Sequence, residues 1–99
     1  MPDLPDFGFE PPAFKPDAAL VLLRRSLRDL HLAERGDGAE LRGKRVVEWR
    51  IDSKTIQLRI ARRLAITPEW DSATLKSAAD QRKWVDEIQK RLERWQRED

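Results

Sequence analysis

The sequence predicts a small α+β domain: an N-terminal helix, an antiparallel β-hairpin and a long C-terminal helix, with both helices packed on one face of the sheet. Two observations lead to this fold class. Apolar residues alternate with polar ones in the middle of the chain, whereas on both sides they recur at spacings of three and four. The chain has 99 residues, enough for one hydrophobic core, and its regular patterning is typical of a folded domain although 38% of its residues are charged.

Residues 1–16 are expected to form an extended or disordered, proline-rich tail, and residues 17–99 a single domain. Five of the six prolines lie in the tail, a density that disfavours both a helix and a central strand. Phe7, Phe9 and Phe14 leave two interpretations open: a disordered arm, or a strip whose rings pack into a groove of the domain. A linear motif offered to a partner is a third, less favoured interpretation.

The first helix is expected over about residues 18–35, because Asp17 can cap its free amide groups and Gly36 can end it in the left-handed conformation. Between these signals the leucines form one apolar stripe at spacings of three and four: Leu20, Leu23, Leu27 and Leu30. This stripe predicts the face that packs on the sheet.

Two consecutive apolar-polar alternations predict a β-hairpin that turns at residues 52–55. In this register three apolar pairs share one face: Val47 with Ile60, Trp49 with Leu58, and Ile51 with Ile56. The opposite face carries two polar pairs: Glu48 with Arg59, and Arg50 with Gln57. A slip of one residue would put apolar side chains opposite polar ones along the whole ladder, so both faces select the same register. The turn itself is weakly encoded, because Ser53 and Lys54 stand where tight hairpins favour glycine or asparagine.

The second half of this hairpin has an alternative, a helix over residues 55–65 with Ile56 and Ile60 on one side. We favour the strand, because the helix would leave Leu58 on the wrong side. Two forms of the sheet stay open: the hairpin alone, or the hairpin with a third, short strand at about residues 64–66.

Two helix-start signatures follow. Thr67 precedes Pro68 and the acidic Glu69, which predicts a short helical turn. Ser77 has Asp80 three residues later, which predicts the start of the long C-terminal helix. The apolar face of that helix comprises Trp84, Val85, Ile88, Leu92 and Trp95. Acid-before-base pairs four residues apart are expected on its exposed side: Asp86 with Lys90, Glu87 with Arg91, and Glu93 with Arg97.

Positive charge is concentrated in residues 42–64, which carry a net charge of +6 in a chain whose total is +2. Glu48 and Asp52 are the acidic exceptions. The eight basic residues of this stretch are the candidate contacts to an acidic partner or to phosphates: Arg42, Lys44, Arg45, Arg50, Lys54, Arg59, Arg62 and Arg63. The alternative is a solvated β-face whose arginines pair with acidic residues of the helices.

The sequence offers little for catalysis or for cofactor binding. It has no cysteine, and its single histidine, His31, is more typical of a partly exposed polar residue than of a catalytic base. One histidine and dispersed carboxylates give no converging set of metal ligands. The four glycines lack the spacing of a phosphate-binding loop. We therefore expect a non-catalytic protein without a cofactor or metal.

The first functional hypothesis is a small adaptor or regulator that binds an acidic protein partner through its basic face or a spare apolar helix surface. Trp70 and Trp95 are its candidate exposed anchors. The alternative is a nucleic-acid-binding domain that contacts phosphates through the basic hairpin. The longest apolar run, residues 18–23, is too short to span a membrane, and without cysteine a soluble, cytoplasmic protein is expected. A monomer or a weak homodimer is expected, since the basic residues oppose pairing of the hairpin edges.

Overall fold

The computed structural model of the chain describes residues 14–98. Within that range it contains seven elements: α1 (Pro16–Asp29), β1 (Ala33–Arg35), β2 (Gly38–Leu41), β3 (Lys44–Asp52), β4 (Thr55–Ala61), β5 (Trp70–Leu75) and α2 (Ala78–Glu98). The strands form one antiparallel sheet in the order β1-β2-β3-β4-β5. The α+β class is confirmed, but the sheet has five strands where the sequence predicts a hairpin with a third short strand. The interpretations of Phe7 and Phe9 concern residues 1–13, which lie outside the described residues.

The central hairpin consists of β3 and β4 in the predicted register, with the three apolar pairs and the two polar pairs all opposite one another. Trp49 is buried, with 6% of its surface exposed, and Leu58 opposite it is buried as well. The helical alternative for residues 55–65 is wrong, because Thr55–Ala61 forms β4. Both strands lie in the interior of the sheet, since β2 flanks β3 as far as Glu48 and β5 flanks β4.

Both helices cover the same face of the sheet, called the inner face below. Its apolar side chains pack with those of the helices into one core, which includes Leu23, Leu27, Val47, Trp49, Ile56, Leu58, Ile60, Leu75, Ile88, Leu92 and Trp95. Because side chains alternate along a strand, the opposite or outer face carries the polar residues, among them Glu48, Arg50, Gln57, Arg59, Ser72 and Thr74.

A β-bulge in β3 changes which residues reach the outer face. Ala39 of β2 pairs with Val47, and the next residue of β2 pairs with Arg45, so Val46 has no partner in β2. Val46 and Val47 are both buried as a result. The bulge returns Arg45 to the outer face, where it contacts Glu48.

Helix α1 is shorter than predicted. Asp17 lies in its first turn and does not cap it. The helix ends at Asp29 because His31 adopts a left-handed backbone with a φ of 68°. The amide groups of residues 30–32 donate back to carbonyl groups of the last helical turn. Residues 33–35, predicted to be helical, form β1. Gly36 has the expected positive φ, 59°, but in the turn between β1 and β2.

The segment after β4 also differs from the prediction. Residues 62–69 form an irregular loop, so the strand expected at residues 64–66 and the helical turn expected at Thr67 are both wrong. The second strand that pairs with β4 is β5, where buried Ala73 and Leu75 alternate with exposed residues. Alanine adds little apolar surface, so this alternation is faint in the sequence.

Helix α2 begins as predicted. The amide N–H of Asp80 donates to Ser77 Oγ at 3.1 Å, and the Asp80 carboxylate accepts from the amide of Lys76 at 3.0 Å, one residue earlier than in the usual capping box. The expected pair of Glu87 and Arg91 is present at 2.8 Å, but it is not on the exposed side of the helix, because Arg91 faces the sheet and only 12% of its side chain is exposed. Among residues 14–98, no helix is both long and apolar enough to cross a membrane.

Candidate interaction sites

Two of the eight predicted basic residues, Arg45 and Arg59, share the carboxylate of Glu48 on the outer face. Arg45 Nε lies 2.7 Å from Glu48 Oε2, and Arg59 Nη1 lies 3.1 Å from Glu48 Oε1. Arg45 also reaches Asp37, at 2.7 Å. Gly38 makes room for this guanidinium group, because a Cβ at Gly38 would lie 2.5 Å from Arg45 Cζ. Carboxylates of the sheet and its turns thus offset much of the positive charge on the outer face.

The two candidate tryptophan anchors are largely covered. The guanidinium carbon of Arg59 lies 4.7 Å from the centre of the Trp70 ring, a cation–π contact, and Trp70 is partly buried. Trp95 is only 3% exposed and belongs to the core. Trp95 therefore does not serve as an exposed anchor, and Trp70 offers only part of its ring.

Two ion-pair clusters tie the helices to the sheet. Arg24 of α1 binds Glu34 of β1 at 2.6 Å, and this hydrogen bond lowers the pKa of Glu34. Asp71 of β5 accepts from Arg62 at 2.7 Å and from Arg91 of α2 at 2.9 Å. The hydrogen bond from Arg62 is the main cause of the lowered pKa of Asp71 and, reciprocally, raises the pKa of Arg62.

The remaining predicted basic residues are dispersed. Arg50, Lys54 and Arg63 are exposed and form no ion pair with any residue in the range 14–98. Arg42 is exposed in the turn between β2 and β3, and Lys44 is partly buried. Lys54 lies at the hairpin turn, whereas Arg63 follows the other end of β4, roughly 23 Å away along a seven-residue strand. The structure therefore does not gather the eight residues into one patch.

An apolar groove between the first turns of α1 and α2 is a site that the sequence analysis missed. This groove, the α1–α2 groove, encloses about 670 Å³, and its apolar lining comprises Phe14, Ala18, Ala19, Leu22, Ala78 and Ala79. The Gln81 side-chain amide donates to the carbonyl of Ala19 at 3.0 Å and holds the two helices together beside it. Lys15 and Lys76 lie on its rim and are exposed, and its described lining contains no carboxylate.

Small and apolar residues at both helix starts were the only sequence signal for this groove. Residues 18–22 and residues 78–79 are about 60 positions apart, so their approach depends on the packing of α1 against α2. Leu22 is 53% exposed and Val21 is 50% exposed. An isolated amphipathic helix normally carries polar residues at positions as exposed as these.

No metal-binding cluster of three or more His, Cys, Asp or Glu side chains occurs among residues 14–98, and His31 is exposed in the turn after α1. Comparisons with protein families, characterised proteins and solved structures found no match to this chain. Function therefore has to be inferred from the side-chain chemistry of the described residues.

Proposed function

We propose that this protein is a non-catalytic interaction module, an adaptor or regulator that binds an acidic protein partner through the α1–α2 groove. The observation that carries the proposal is the combination of an apolar floor with two exposed lysines, Lys15 and Lys76, and no carboxylate among the described lining residues. A partner that fits this site presents apolar side chains flanked by aspartate or glutamate.

The apolar floor supplies the affinity. Leu22 leaves about half of its surface in water, and the neighbouring alanines are too small to cover it. Complete burial of a leucine is worth roughly 1.5–3 kcal/mol, so covering the exposed half of Leu22 contributes about 1 kcal/mol. A shallow groove lined by small residues is the kind of surface into which an amphipathic helix can lay its apolar face.

The lysines supply the choice of partner. Lys15 precedes α1 and Lys76 precedes α2, so a segment lying in the groove meets a positive charge near the start of each helix. An acidic flank is attracted there and a basic flank is repelled, which affects both the association rate and specificity. The outer face contributes less to this choice, because Arg45 and Arg59 already have Glu48 as a partner.

Nucleic-acid binding through the hairpin remains the alternative proposal. It is supported by Arg50, Lys54 and Arg63, which are exposed and without ion pairs among residues 14–98. Phosphate contacts add affinity when several cations follow one backbone. These three residues are divided between the two ends of the hairpin, and for this reason we favour the protein partner.

The proposed function can be tested with two displayed libraries of helix-forming peptides, each about 20 residues long. Both vary leucine and phenylalanine on one face, but one carries aspartate and glutamate beside that face and the other carries lysine and arginine. We expect only the acidic library to yield binders, with dissociation constants near or below about 10 μM.

Leu22→Glu should weaken the selected peptides at least about tenfold, because it removes an apolar anchor and places a carboxylate against an acidic ligand. Val21→Glu is the matched control: its exposure is nearly the same and it does not line the groove, so it should change the affinity less than about twofold. Equal loss in both variants, or equal enrichment from the two libraries, would contradict the proposal.

A further inference from the structure

A second depression lies at the opposite end of the sheet from the hairpin turn, where the loop after β4 meets the last turns of α2. It encloses about 500 Å³ and is lined by Arg62, Arg63, Arg94 and Trp95. Its volume is within the range of small-ligand sites, and three of its four lining residues carry a guanidinium group. We call it the arginine depression.

Arg62 is held in place before any ligand arrives. Its Nε lies 2.7 Å from Asp71, and Asp71 is held from the other side by Arg91 at 2.9 Å. Arg91 is itself anchored, with 12% of its side chain exposed and bonds to Glu87 and to the carbonyl of Ala61. Asp71 occupies the Nε edge of the Arg62 guanidinium and Glu69 Oε1 lies 3.9 Å from its Nη1, so the donors that Arg62 offers to a ligand are chiefly those of Nη2.

Arg63 and Arg94 have no carboxylate partner among the described residues, although they line the same depression as Arg62. Arg63 and Arg94 therefore place two positive charges without a carboxylate partner beside Arg62, and an anion lying between them would offset their repulsion. Guanidinium groups bind phosphate oxygens through paired, charge-assisted hydrogen bonds, and several of them together favour an anion with more than one charge.

Trp95, which forms one wall of the depression, limits the kind of ligand that can bind. Only 3% of the surface of Trp95 is exposed, so its ring is not available for stacking on a base. The other exposed cations of the hairpin do not extend the site, since Lys54 lies at the far end of β4. The geometry points to a binding site for the diphosphate or triphosphate group of a small ligand, recognised through its phosphate oxygens by Arg62, Arg63 and Arg94.

The test is calorimetric titration of the full chain with pyrophosphate in low-salt buffer without divalent cations. We expect one saturable site per chain. Arg63→Gln combined with Arg94→Gln should weaken binding at least about tenfold, because two charge-assisted contacts are lost. The matched control is Arg25→Gln combined with Arg50→Gln, which removes the same charge from exposed positions outside the depression and should change the affinity less than about threefold.

Backbone amide shifts give an independent readout. On addition of pyrophosphate the largest shift changes should fall at residues 62–63 and around residue 94. Thermal unfolding of the two double variants serves as the control that both are folded. Absence of saturable binding, equal weakening in the two double variants, or shifts centred on another surface would overturn the inference. Binding of a single-stranded oligonucleotide without any binding of pyrophosphate would overturn it too, and would favour the nucleic-acid alternative.

Discussion

Replacing Trp49 with alanine tests the central feature of the fold, the burial of one face of the β3–β4 hairpin under the helices. Trp49 is 6% exposed and lies directly opposite Leu58. A buried tryptophan removes about 200 Å² from water, which corresponds to roughly 5 kcal/mol before the cavity walls relax. We therefore expect Trp49→Ala to lower the free energy of unfolding by about 3–5 kcal/mol.

The assay is urea unfolding followed by far-ultraviolet circular dichroism, with the slope m compared between variants. In thermal unfolding the same loss should lower the midpoint by roughly 12 °C or more for a domain of this size. Ile51→Ala is the control on the same strand and face: Ile51 is 37% exposed, so its truncation should cost only about 1 kcal/mol. Trp49→Phe keeps most of the apolar volume and should retain a measurable transition if the alanine variant is too unstable to fold.

A loss below about 1 kcal/mol for Trp49→Ala, or a loss no larger than that of Ile51→Ala, would refute the reasoning. Either result would mean that the Trp49 side chain does not lie between the sheet and the helices. The register of β3 against β4 would then have to be shifted by one residue.

Two further predictions concern the hairpin turn and the Asp71 ion pairs. Ser53→Gly should raise the free energy of unfolding by about 0.5 kcal/mol, because Ser53 has a φ of 56° that glycine adopts without a steric cost. The control, Ser72→Gly in the middle of β5, should lower the free energy of unfolding. Thermal midpoints of the two variants test both expectations. For Asp71, the lowered pKa means that its carboxylate stabilises the folded chain fully at neutral pH, above its ordinary value of about 3.9, and that this stabilisation is lost as the pH falls through the lowered pKa. The urea midpoint of the unmodified chain should therefore exceed that of Asp71→Asn at pH 7, the two should converge in strong acid, and a difference that stays constant or grows on acidification would be inconsistent with the pair to Arg62.

The elements that the sequence predicted correctly have strong local patterns. The hairpin register follows from five residue pairs that agree on both faces, and a one-residue slip would disrupt all of them at once. The start of α2 follows from Ser77 and Asp80, whose hydrogen bond needs no distant residue. Such features depend on neighbours in the chain, or on a partner strand only a few residues away.

The elements that were missed have weak patterns of their own. β1 and β2 have only three and four residues, and β5 relies on Ala73 for one of its two core positions, so none of the three shows a clear apolar alternation. The first helix was also predicted to continue through residues 33–35, because Gly36 is the expected helix terminator, but the structure places β1 there. β2 and β5 become strands because β3 and β4 offer them unpaired backbone groups, and β1 then pairs with β2, a benefit that exists only once the central hairpin is formed.

The candidate sites divide in the same way. Positive charge in residues 42–64 is a property of the sequence, and so is the pairing of Arg59 with Glu48, but further carboxylates that offset this charge come from the turn at Asp37 and from β5 at Asp71. The α1–α2 groove joins segments about 60 residues apart, and the arginine depression joins the loop after β4 to Arg94 of α2. Neither could be found by reading neighbours along the chain.

The α+β class, the paired central strands and the start and apolar face of the last helix follow from the amino-acid pattern alone, since each is encoded by periodicity or by a short-range hydrogen bond. The three-dimensional packing was needed to show which strands complete the sheet, which arginines are neutralised and where surfaces for a ligand remain. Those outcomes depend on distances between residues far apart in the chain, and such distances are set by the packing of the whole core.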